Sequence, residues 1–113
     1  GDFSYHDTYF GSHCFIGAEV VYKNNEPFWG MNYYGKNISN KKDKEVYPFL
    51  REALSQDCGD LLNIRGPKFY KKDSYEYTLD LKGDLRDFSG TEEILYNGEK
   101  IYQCLIHGGL IEE

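Results

Sequence analysis

"CFIGAEVVYKNNEPFWGMNYYG", residues 14–35, is the stretch on which the fold turns. Both ends are rich in β-branched and aromatic residues, which suit a pleated, half-buried strand. The polar segment between them carries Asn24-Asn25, and asparagine tolerates the positive φ that a tight hairpin turn demands. The stretch therefore reads as two antiparallel arms. A two-residue turn fixes their pairing: Lys23 faces Glu26, Val20 faces Trp29, Glu19 faces Gly30, Ala18 faces Met31 and Gly17 faces Asn32.

Successive strand residues point to opposite sides. One predicted face carries Ile16, Ala18, Val20, Trp29, Met31 and Tyr33, all dry, and is the expected seat of a helix. The other carries Phe15, Gly17, Glu19, Val21, Phe28, Gly30, Asn32 and Tyr34. Missing side chains at Gly17 and Gly30 predict a hollow beside a carboxylate and an amide, with rings around it. A ligand-binding face is expected there, formed by Phe15, Gly17, Glu19, Gly30, Asn32 and Tyr34, with Arg65 approaching from a later loop. Glu19 and Asn32 would supply hydrogen bonds and the rings a stacking surface. A turn longer or shorter by one residue would exchange the two faces.

Outward from the hairpin, Val46, Phe49, Leu50, Ala53 and Leu54 recur at helical spacing and make one apolar stripe. Asp43 is the expected cap, Pro48 falls in or near the first turn, and Gly59 is the expected stop. "RGPKFYKKD", residues 65–73, reads as a loop with a Gly-Pro breaker. Tyr75, Tyr77, Leu79 and Leu81 alternate with polar residues as in a strand with one dry face. A last hairpin turns on Asn97-Gly98, a type I′ signal. "YHDTYFG", residues 5–11, is aromatic for a terminal segment, so Tyr5, Tyr9 and Phe10 are expected to pack across the sheet. The expected fold is α+β: one domain over residues 1–113, an antiparallel sheet in the order β-β-α-β-β-β packed on a single amphipathic helix. The chain opens on Gly1 rather than Met, so a longer natural chain ahead of Asp2 is also an expectation.

Composition narrows the function classes. A net charge of −6 argues against a phosphate-gripping surface, so no nucleic acid is expected through this domain. Eleven tyrosines suit half-buried strands and wet binding surfaces alike. Cys14, Cys58 and Cys104 form no close pair, which fits reduced thiols and a cytoplasmic protein. No apolar run approaches a membrane span, so no membrane partner is expected. His13 and Cys14, like Cys104 and His107, would point to opposite sides of a strand, so no metal site is assigned. Neither a nucleophile elbow nor a phosphate-binding glycine loop occurs. No catalytic residue and no cofactor are assigned. Acid–base chemistry would need Glu19 desolvated beside a second acid such as Asp7 or Asp80.

"YFG" at 9–11, "FIGAEVV" at 15–21, "WGMNYYG" at 29–35, "RGP" at 65–67 and "YNGEKIY…HGG" at 96–109 together carry a family likeness. In these motifs the chain resembles a bacterial and archaeal domain-of-unknown-function family. Some of its members carry the domain behind a XRE-type helix-turn-helix, and others consist of the domain alone. The resemblance implies no activity or cofactor. It implies that Phe15, Gly17, Glu19, Trp29, Asn32, Tyr34, Gly35, Arg65 and Gly66 belong to a shared pattern. With one helix expected, no helix-turn-helix can lie within this chain. The leading expectation is a small-ligand or effector-binding domain. A protein-interaction or homodimerisation module is the alternative, and an acid–base enzyme comes third.

Overall fold

The computed structural model describes residues 2–56 and 65–113. Its framework is one seven-stranded antiparallel sheet: β1 (Phe3–Gly11), β2 (Cys14–Lys23), β3 (Glu26–Asn37), β4 (Phe69–Lys72), β5 (Tyr75–Asp84), β6 (Asp87–Tyr96) and β7 (Glu99–Leu110). A single described helix, α1 (Asp43–Leu54), joins β3 to β4. The spatial order is β1-β2-β3-β7-β6-β5-β4, so two hairpin ladders meet at the β3–β7 pair.

This corrects the expected order β-β-α-β-β-β. Three strands precede the helix and four follow it, and the sheet dominates the molecule. Residues 3–11 do not lie across the sheet; they extend it as an edge strand paired with β2. Tyr5, Tyr9 and Phe10 stay more than half exposed instead of packed. The segment expected as a loop contributes the short strand β4.

The helix seats where its stripe predicts: Val46, Phe49, Leu50 and Ala53 are buried. Tyr47 meets the rings of Phe15 on β2 and Tyr102 on β7, while Phe49 stacks on Tyr70 of β4. Lys42 rather than Asp43 is the cap residue, and its N–H donates to the Glu45 carboxylate at 3.2 Å. Asp43 instead receives the Asn37 side chain at 3.1 Å and lies 2.9 Å from His13. Pro48 falls inside the helix, beyond the first turn. The expected stop, Gly59, and the third cysteine, Cys58, lie outside the described residues.

The first hairpin turns on Asn24-Asn25, both at positive φ (51° and 68°), and Lys23 pairs with Glu26. One step later the ladder slips. Tyr22 pairs with Pro27 but Val21 with Trp29, leaving Phe28 as an extra, unpaired residue. A bulge of this kind puts every later residue of one strand on the other side relative to its partner. Glu19 therefore pairs with Met31, and Gly17 with Tyr33. The helix-bearing face carries Phe15, Gly17, Glu19 and Val21 together with Trp29, Met31 and Tyr33, which is half of each predicted face. Ile16, Ala18, Val20, Gly30, Asn32 and Tyr34 share the opposite, bare face. There Phe10, Ile16, Tyr34 and Leu105 form an exposed apolar row across four strands.

Candidate functional site

At the helix-bearing side of β1–β3 lies a cavity of about 490 Å³, a size that suits a small molecule. Asp7 and Tyr9 come from β1, Phe15 from β2 and Tyr33 from β3; Tyr47 of α1 and Arg65 complete the aromatic and charged part of the wall.

The backbone explains how Tyr33 reaches this position. A Cβ on Gly17 would stand 2.5 Å from the tip of the Tyr33 ring, so only glycine lets the ring lie flat across β2. The hollow expected at Gly17 is thus filled by a neighbour's side chain. Beyond Gly17 the Tyr33 hydroxyl donates to the Asp7 carboxylate at 2.7 Å. Burial, then the bond to Asp7, pushes the Tyr33 phenol well above its ordinary range, so it stays a donor.

Arg65 is held from below. Its Nε and Nη2 donate to Glu92 at 3.0 and 3.3 Å, and its guanidinium lies 5.0 Å from the centre of the Tyr33 ring. Glu92 is fully buried and also accepts from the Tyr77 and Tyr102 hydroxyls at 2.6 and 2.7 Å. Burial works against the charged guanidinium, but the Glu92 charge and hydrogen bonds outweigh it and raise the Arg65 pKa. Burial, followed by Glu92, likewise raises both tyrosines. A connected line therefore runs from the core to the cavity: Glu92, Arg65, Tyr33, Asp7.

Next to Asp7 in the β1–β2 ladder, on the same face, stands Glu19. Burial pushes its carboxyl above the ordinary value and the Asp7 charge adds to this, while a hydrogen bond from Tyr5 pulls the other way. Tyr5 is pushed up to about 12, first by burial and then by its bond to Glu19. Asp7 and Glu19 thus form a carboxylate pair edged by two protonated phenols.

Of the seven residues expected in a ligand site, Phe15, Gly17, Glu19 and Arg65 gather on this side. Gly30, Asn32 and Tyr34 do not join them, because the bulge at Phe28 turns them to the bare face. Asn32 and Tyr34 there line a smaller hollow of about 400 Å³ with Ile16, Leu105 and His107. Asp80 also faces away from Glu19: it alternates with Leu79 and Leu81, which point to the helix side. Asp7, Tyr33 and Glu92 were missed by sequence reasoning as a connected set. For Glu92 a signal existed, since it shares strand parity with Phe88 and Ile94, both buried.

Cys14 is exposed and Cys104 buried, both as free thiols, and burial raises Cys104 to about 11. Among the described residues no three of His, Cys, Asp or Glu converge as metal ligands, and no helix is long and apolar enough to cross a membrane. No curated protein and no solved structure matches the chain. A family model does: residues 7–111 match a domain of unknown function, DUF5680, over nearly the whole length. The matched stretch runs from the Asp7 of the cavity to the end of the last strand, and the chain belongs to the DUF5680 family.

Proposed function

We propose that this domain binds a small organic ligand in the cavity between β1–β3 and α1, as a sensor or effector-binding module. The observation that carries the reading is the charge arrangement around Asp7. Arg65 is matched by its own buried partner, Glu92, whereas Asp7 is steadied by a neutral phenol and forms no ion pair among the described residues. A carboxylate so placed among the rings of Tyr9, Phe15, Tyr33 and Tyr47 favours a ligand with a cationic or donor group on a flat or apolar body. A regulatory role, with the ligand signal passed to an attached helix-turn-helix in longer relatives, accords with the family likeness.

The test is a thermal-shift screen of amines and aromatic cations beside neutral and anionic analogues, run on wild type, Asp7→Asn and Glu19→Gln. A ligand at about one hundred times its dissociation constant adds roughly 2.7 kcal/mol. The expected result is a hit among the cations that Asp7→Asn abolishes. Hits confined to anions, or hits indifferent to Asp7, would reject the reading.

A second reading rests on a separate observation. Glu19, with its carboxyl raised by burial, stands directly beside Asp7, which is the arrangement of a paired acid and base. Turnover of a bound ligand that Glu19→Gln stops without weakening binding would favour this enzyme reading over the sensor.

A further inference from the structure

The two edges of the sheet are built differently. The β4 edge is four residues long and carries Lys71 and Lys72, both devices that keep other chains away. The β1 edge is nine residues long, about 30 Å, and has neither proline nor lysine nor a bulge. Its one charge, Asp7, is bound to Tyr33. Phe3, Tyr5, Tyr9 and Phe10 are all more than half exposed on it.

Main-chain polarity shows which groups this edge offers. The Asn24 N–H donates to the Asp2 carbonyl at 2.9 Å, so even-numbered residues of this segment bond toward β2. The N–H and C=O groups of Phe3, Tyr5, Asp7 and Tyr9 then point outward, and among the described residues no strand lies beyond them. We infer that a second copy of this chain pairs there, β1 against β1, across a two-fold axis beside His6.

That axis is singled out by the sequence of the strand. It sets Phe3 against the partner's Tyr9 and Tyr5 against the partner's Asp7, so all four outward-facing residues bond and no like charges meet. An axis at Asp7 would set two carboxylates face to face. On the other side Ser4 meets the partner's Thr8, and the two His6 side chains sit together in a non-hydrogen-bonded pair. Each of the four exposed rings offers on the order of 100 Å². Doubled by the axis, this approaches the ~1,000 Å² expected of a specific interface. The pairing places the partner's Tyr5 beside Asp7, at the rim of the cavity. The inference stands apart from the ligand reading, since its readout is mass and not binding.

Sedimentation of the wild-type chain should give twice the 13.2 kDa chain mass. His6→Lys, which sets two ammonium groups across the axis and leaves the β1–β2 bonds intact, should sediment as a single chain with an unchanged circular dichroism spectrum. His6→Cys should cross-link between copies under diamide, because Cα atoms in such a pair lie about 4.5 Å apart. Thr8→Cys and wild type should not. A wild-type chain that stays single at about 100 µM would overturn the inference. A dimer that survives His6→Lys would also overturn it, and would place the contact elsewhere, for instance on the Phe10–Ile16–Tyr34–Leu105 row.

Discussion

Burial holds the Glu19 carboxyl above its ordinary value, so the folded chain binds that proton more tightly than the unfolded chain does. The contribution of Glu19 to stability is therefore complete in acid and is lost as pH rises through the raised value. Glu19→Gln keeps a partner for the Tyr5 hydroxyl and removes the desolvated charge. Its melting temperature should exceed wild type by a few degrees at pH 7, with the gap closing toward pH 4 in a calorimetric series. Glu92 stands at the other extreme, with every oxygen occupied by Arg65, Tyr77 and Tyr102. Glu92→Ala strands a buried guanidinium and two buried hydroxyls. Urea unfolding should show a loss of about 3–5 kcal/mol, the cost of removing one partner of a buried ion pair.

At the scale of elements, the parts that sequence reading placed correctly are those whose signal is local. Asn24-Asn25, Asn97-Gly98, the alternation of residues 75–81 and the stripe from Val46 to Ala53 each declare themselves within a few positions. The turn also invites improvement. Asn25 sits at φ 68°, where glycine carries no steric penalty, so Asn25→Gly should add about 0.5 kcal/mol in the same urea assay. What escaped the sequence was set by partners rather than neighbours. Pro27, which has no N–H to give the ladder, hints at an irregularity, but its neighbours do not say on which residue the extra step falls. That one residue, Phe28, turned Gly30, Asn32 and Tyr34 away from Glu19. Residues 3–11 become a strand only because β2 offers an edge, and β4 only because β5 does. The cavity wall was legible only in part: of the residues expected in a ligand site it includes Phe15 and Arg65, while the Asp7–Tyr33 bond spans three strands and joins residues distant in the chain.

At the scale of the whole molecule, the candidate site and the bare β1 edge lie at one end of the sheet, with the short, lysine-bearing β4 edge at the other. The sheet order has a further consequence, for the route by which the chain reaches this state. Every neighbouring pair of strands except one is joined by a hairpin or a short connection, and can zip from its own turn. The exception is β3 with β7, where Asn37 meets Tyr102 and Trp29 meets Leu110, partners roughly 65 to 80 positions apart. Closing so long a loop costs chain entropy before any contact repays it. The N-terminal and C-terminal ladders should therefore form first as separate flickering units, and their joining along this seam should set the pace of folding. Until the seam closes, the Tyr33 strand and the Glu92 strand belong to different units, so the line from Glu92 to Asp7 is assembled last.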